Sequence, residues 1–221
     1  DKADKVLSIA KLFEESNLQK SVTIALQSMN PKVLEAIARK NIDGGKLEEF
    51  VALYSKNNIS SYIELILGLP EETLDSFING VCSIMEKGFH NYLDIHLMML
   101  LPNAPISRYN YKQKYGIETT ETQPRFSHRS NPTKLVDDTI SIVTQTNTMP
   151  KEDWVKAHQF RWLVVFSHYL GPLQFVAILL NKIYNISFKD FYTNLLNFSE
   201  NHPDTFIGKE YVNILNNLDN I

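Results

Sequence analysis

Four short stretches of this 221-residue chain carry polar or titratable side chains at spacings that a β/α fold turns into a surface. In Glu64-Leu-Ile-Leu-Gly68-Leu-Pro-Glu71-Glu72 an apolar run stops at glycine and proline. As a strand it alternates, so Glu64 and Ile66 share one face. A carboxylate on an inward strand face is costly without a partner, so Glu64 is read as a functional acid or as half of an ion pair with a neighbouring strand or helix. Asp94, His96 and Met98 alternate with Leu93, Ile95, Leu97 and Met99, so one face carries two titratable groups that would border a substrate if that face looks inward. A lone strand histidine is also common as a satisfied core or surface residue. Gln27-Ser28 and Leu101-Pro102-Asn103 close two further apolar runs. In β/α barrels the carboxyl ends of the strands are where ligands sit.

The elements that would position these residues read as consecutive β/α units. A helix runs to about Asn17, with Val6, Ile9, Ala10 and Phe13 at helical spacing. Strands are predicted over 21–27, 61–67 and about 92–100. A helix opens at Pro31 behind the candidate cap Asn30 and runs to about Arg39. Asp43-Gly-Gly breaks the chain, and Leu47, Phe50, Val51 and Tyr54 continue as an amphipathic helix. A helix over 71–87 stops at Gly88, with Glu71 and Glu72 in its first turn, where acidic residues favour the helix dipole. The polar segment 106–133 reads as a long excursion, and 140–144 as one further strand. From Pro150 onward only helices are expected, over 151–169, 172–184, 188–198 and 209–218, with an aromatic packing layer of Trp154, Trp162, Phe166, Phe175 and Phe191. The division is therefore 1–148, α/β with parallel strands, and 149–221, helical.

Composition narrows the function classes. With 43% hydrophobic and 21% charged residues the chain is an ordinary globular protein, and the net charge of -3 comes without a basic run that would follow a phosphate backbone. Nucleic acid is not the expected partner. The apolar stretches Trp162–Phe166 and Phe175–Leu180 fall far short of the roughly 20 residues a membrane span needs, so none is expected. One cysteine, Cys82, excludes an internal disulfide and reads as helix packing; with no leader pattern at the start, a cytoplasmic location is expected. The six histidines show no HxxxH or HxH spacing, GxSxG and P-loop motifs are absent, and Gly44-Gly45 reads as a turn. The chain opens without methionine inside a helical pattern, from which a missing upstream segment is expected.

The series Ala25-Leu-Gln-Ser-Met-Asn-Pro-Lys-Val-Leu, Ala38-Arg-Lys-Asn-Ile, Ile63-Glu-Leu-Ile-Leu-Gly-Leu-Pro-Glu-Glu-Thr and Leu100-Leu-Pro-Asn-Ala-Pro, in that order, resembles the second half of the radical S-adenosylmethionine (radical SAM) core, in the branch that carries a cobalamin-binding domain. The likeness is clear over about residues 5–110. It implies the C-terminal half of a partial, TIM-like β/α barrel with parallel strands, followed by the helical region. In such enzymes a 4Fe-4S cluster on a CxxxCxxC loop passes an electron to S-adenosylmethionine, which splits into methionine and a 5'-deoxyadenosyl radical. One cysteine cannot build that cluster, so the cluster and cobalamin are expected only in a missing N-terminal part. By resemblance, Gln27 and Ser28 would meet the ribose and methionine portion of S-adenosylmethionine, and Ile66 would pack the adenine in a GxIxGxxE-like pattern in which Glu64 replaces the first glycine. Gly68 would allow close backbone approach, and Leu101, Pro102 and Asn103 would present backbone to the adenine. Asp94 and His96 would lie on the substrate side.

Two readings of function follow. One is the C-terminal portion of a radical SAM enzyme, methyltransferase-like and cobalamin-dependent, inactive alone; the other is a cluster-free helical module that binds a protein partner. A half barrel also leaves its first strand without a neighbour, and an open strand edge invites self-association.

Overall fold

The structure is a computed structural model, describing residues 2–16, 18, 21–41, 44–122 and 139–218. Three strands, Val22–Gln27 (β1), Ser61–Leu67 (β2) and Tyr92–Leu97 (β3), lie parallel in the order β1-β2-β3. Parallel neighbours need a long crossover, usually helical. Here it is Pro31–Ala36 (α2) and Gly44–Lys56 (α3) between β1 and β2, and Leu74–Glu86 (α4) between β2 and β3; Lys2–Glu15 (α1) precedes β1. Asn30 caps α2 by accepting the Lys32 N–H at 3.0 Å.

Burial on β2 alternates. Ser61, Ile63, Leu65 and Leu67 are buried, while Tyr62, Glu64 and Ile66 are half-buried. The buried face joins Phe77, Val81, Cys82, Ile84 and Met85 of α4 and Trp154, Ala157, Phe160 and Val164 of Lys151–Val164 (α6) in one hydrophobic cluster. Each fully buried side chain of that size contributes about 1.5–3 kcal/mol. The helices thus cover one face of the sheet, and among the described residues the polar face opposite stays largely open.

Several boundaries differ from expectation. α4 starts at Leu74, because Thr73 and Ser76 cap each other's backbone N–H; Glu71 and Glu72 therefore precede the helix instead of forming its first turn. α3 starts at Gly44, so the two glycines open the helix rather than turn the chain before it. The expected excursion contains Tyr109–Tyr115 (α5), ended by Gly116 at φ 58, and Glu118–Thr122 (β4), whose threonines suit a strand. The strand expected at 140–144 is Ile140–Gln145 (β5), which pairs antiparallel with β4 in a second sheet instead of extending the parallel one. Of the apolar face assigned to α1, Ala10 is buried and Ile9 and Phe13 are exposed. Asn17, Asp43, residues 123–133 and the Val6 side chain lie outside what the structure describes.

The remaining helices are Gln174–Tyr184 (α7), Phe188–Asn201 (α8) and Phe206–Leu218 (α9). Among the described residues no single helix is long and apolar enough to cross a membrane. Between α6 and α7 the chain widens into a π-helical turn, Val165–Tyr169. That turn sinks His168 between His90 and α8: His90 Nδ1 lies 3.0 Å from His168 Nε2, and Tyr192 Oη 2.6 Å from His168 Nδ1. Burial, then the His90 charge, pushes the His168 imidazole down to about 3. Its unfolded counterpart takes a proton near pH 6.5, so the folded state is favoured in full above that pH and loses the contribution as pH falls toward 3. We expect His168→Gln to flatten the fall in melting temperature between pH 6.5 and 4, read by thermal unfolding across that range; an unchanged slope would place the acid sensitivity elsewhere.

Candidate functional site

The parallel register sets the open face as a grid. Tyr62 sits beside Tyr92, Glu64 beside Asp94 and Ile66 beside His96, with Thr23 and Ala25 of β1 next to Tyr62 and Glu64. Adjacent carboxylates repel when ionised, and a histidine stands beside both. His96 Nε2 stands 3.5 Å from Asp94 Oδ2 and 3.9 Å from Glu64 Oε1. The His96 side chain is 51% exposed and Glu64 24%, so the group is open to solvent and available to a ligand. Arg161 of α6 donates Nε–H to the Ile95 carbonyl on the β3 edge. Burial lowers the Arg161 pKa, and the Asp94 charge opposes the shift.

At the carboxyl edge the three strands deliver the remaining candidates. Gln27 and Ser28 end β1 and Gly68 follows β2, where Met98 N–H extends the ladder to the Leu67 carbonyl at 2.8 Å. Gly68 has φ 103, and a Cβ there would meet the Val143 carbonyl at 3.0 Å and Met98 Cβ at 3.3 Å. The close approach that Gly68 permits is thus made by β5, which adds to the β3 extension through Val143 N–H to Met98 O (2.9 Å) and Leu100 N–H to Ser141 O (2.8 Å). Leu101, Pro102 and Asn103 are exposed just beyond that pairing. The Leu101 carbonyl accepts the Ala104 N–H at 3.0 Å and the Pro102 carbonyl the Ser107 hydroxyl at 2.7 Å.

The Ser28 hydroxyl is buried and donates to Glu72 Oε2 at 2.5 Å. Glu72, only 2% exposed, also accepts the Ser76 hydroxyl. Burial raises its carboxyl pKa, and the hydrogen bonds from Ser28, Ser76 and Asn30 oppose the shift. Sequence reasoning assigned Glu72 to the helix dipole and passed over Asn41 and Arg161. Both left a trace: Asn41 lies in the Ala38-Arg-Lys-Asn-Ile series, and Arg161 is a charge set between Phe160 and Trp162.

The donor set bears on cofactors. Cys82 is buried within α4 and burial pushes its thiol up to about 12, so it is neither a thiolate nor placed to hold an iron–sulfur cluster. Among the described residues no cluster of three or more His, Cys, Asp or Glu side chains is arranged to hold a metal ion.

A parallel sheet with helices on one side and polar strand ends on a common edge is the arrangement in which β/α proteins bind ligands. No protein-family model matches the chain. It is 34% identical over 209 residues, 95% of its length, to the cobalamin-dependent radical SAM methyltransferase TokK of Streptomyces tokunonensis. Over the same share it is 32% identical to the 2-(S-pantetheinyl)-carbapenam-3-carboxylate methyltransferase of Streptantibioticus cattleyicolor. The chain spans about 30% of the length of these curated relatives. Over 95% of its length the chain is thus similar to one part of these cobalamin-dependent radical SAM methyltransferases.

Gly68→Ala tests the β5 contact. The strained φ and the crowding against Val143 O predict a loss of about 2 kcal/mol or more in unfolding free energy, measured by denaturant titration. A neutral result would mean that β5 does not press on this turn.

Proposed function

We propose that the chain is the C-terminal portion of a cobalamin-dependent radical SAM enzyme, methyltransferase-like, and that it contributes the adenosyl and methionine side of the S-adenosylmethionine pocket. In this reading residues 1–148 are the second half of a partial β/α barrel and 149–221 a helical layer behind it. Gln27, Ser28, Ile66, Gly68 and Leu101 to Asn103 border the S-adenosylmethionine, with Glu64 at their centre, and Asp94 and His96 face the substrate. The observation that carries it is the open face: a parallel sheet is normally covered on both sides, yet here the residues picked out by motif lie on the uncovered side and its carboxyl edge. The 4Fe-4S cluster and cobalamin would be held by the N-terminal part and would supply the electron and the methyl carrier.

The relatives' names support methyl transfer as the reaction class. What this chain's own residues do is bind and orient: the strand edge offers backbone and amide groups to a nucleoside, and Glu64 with Asp94 offers carboxylates to donors on the substrate or on methionine. A second reading, a helical module that binds a protein partner, draws on α7, where Phe175, Leu179 and Ile183 stand more than half exposed along one stripe.

Two measurements decide between these readings. The isolated chain, taken through anaerobic iron–sulfide reconstitution, is expected to bind no cluster and to leave S-adenosylmethionine uncleaved, while the complete protein binds the cluster and cleaves S-adenosylmethionine; brown, active chain would refute the assignment. In the complete protein Glu64→Ala is expected to lower S-adenosylmethionine or substrate use by roughly 10- to 100-fold, the scale of a lost hydrogen bond to a charged group. Unchanged turnover with a lower melting temperature would make Glu64 structural.

A further inference from the structure

Gln27, the last residue of β1, has φ 67, in the left-handed region that residues other than glycine rarely enter. Its neighbours close a three-residue turn around it, with the Ser28 N–H donating to the Leu26 carbonyl at 2.9 Å. A γ-turn with positive φ at its centre is rare and strained. The turn falls on a register shift: Ala25 lies beside Glu64, but Gln27 lies beside Leu65, so β1 carries one residue more than β2 there. Bulges of this kind re-aim a side chain and concentrate beside functional sites.

Two side chains from elsewhere in the chain hold this turn. Asn41 Nδ2 donates to both flanking carbonyls, Leu26 at 2.7 Å and Ser28 at 2.8 Å. The Ser28 hydroxyl donates to Glu72 Oε2 at 2.5 Å while accepting the Asn30 N–H at 3.0 Å. Glu72 is itself fixed, because its carbonyl accepts the Thr148 hydroxyl at 2.8 Å and its second carboxylate oxygen accepts that of Ser76. Ordinary stability gives no reason for this arrangement, since a strand end without the turn would avoid the strain. Strained backbone persists where its surroundings over-determine it, and it clusters at ligand clamps.

We infer that Asn41 and Glu72 are positioning residues that lock Gln27 in a preorganised turn aimed at the ligand on the strand edge. The inference rests on the reading above, in which that ligand is S-adenosylmethionine. Preorganisation removes an ordering cost from binding, so loosening the clamp weakens affinity without removing a ligand contact.

The test is a double-mutant cycle in the complete protein, read by equilibrium binding of S-adenosylmethionine and by melting temperature. Gln27→Ala and Asn41→Ala are each expected to weaken binding about tenfold, the scale of one net hydrogen bond. The double variant should be no weaker than about the single ones, because both act through the same contact. Glu72→Gln, which keeps the shape of the side chain, should weaken binding severalfold, and it carries the test alone if Asn41→Ala does not fold. A double variant about 100-fold weaker, or an Asn41→Ala that melts earlier with affinity intact, overturns the positioning role. Tenfold loss in Gln27→Ala beside silent Asn41→Ala and Glu72→Gln overturns it while leaving the pocket standing. Unchanged affinity in Gln27→Ala removes the pocket assignment and the clamp with it.

Discussion

Parallel strands are held between layers that exclude water from both their faces. Here, among the described residues, the hydrophobic layer is built on one face, by α4 and α6 against Ile63, Leu65, Leu67, Leu93 and Ile95. The placement of the titratable side chains of β2 and β3 follows from that asymmetry. Alternation sends Glu64, Asp94 and His96 to the other side, where His96 stands within 3.9 Å of Glu64 Oε1 and 3.5 Å of Asp94 Oδ2. The same alternation sends Tyr62 and Tyr92 there, with ring centroids 6.3 Å apart. A cover for this face must therefore accept charge, as an apolar layer would strand two carboxylates.

The edges of the sheet are handled differently from its faces. On β3 the Ile95 carbonyl is taken by Arg161, and the extension beyond Leu97 is paired with β5. On β1 the Ala25 carbonyl accepts Arg39 Nη2 at 2.5 Å and the Leu26 carbonyl accepts Asn41. Side-chain donors on strand carbonyls blunt an edge without adding a strand. The segment after β1 thus caps the strand it follows, and the same short series that suggested kinship supplies the capping groups.

Strands were legible where an apolar run met a turn residue: β2 spans 61–67 as read, and β1 and β3 differ only at their ends. Their pairing as parallel neighbours followed from the helical stretches between them. The α5–β4 segment was not legible, because Tyr111 and Tyr115 look polar in sequence, yet their rings pack 4.7 Å apart and the Tyr111 hydroxyl reaches the Ala36 carbonyl at 2.8 Å; β5 was read as a strand, but its antiparallel partner was not. For the site, alternation put Glu64 with Ile66 and Asp94 with His96, and the parallel register then set the two pairs side by side. Glu72 was misjudged since its partner Ser28 is 44 residues away, and no local pattern announces a contact made by the return of the chain. Arg161 was hidden for the same reason, its acceptor being a backbone carbonyl 66 residues earlier.

Arg161 sits directly after Phe160 and three residues before Val164, both sunk in the core, on a helix that also contacts α4, α8 and α9. Its guanidinium hooks the strand that carries Asp94 and His96. The bond joins the packed helix to the strand edge, so removing the guanidinium would leave the Ile95 carbonyl without its side-chain donor and loosen the seam between α6 and β3.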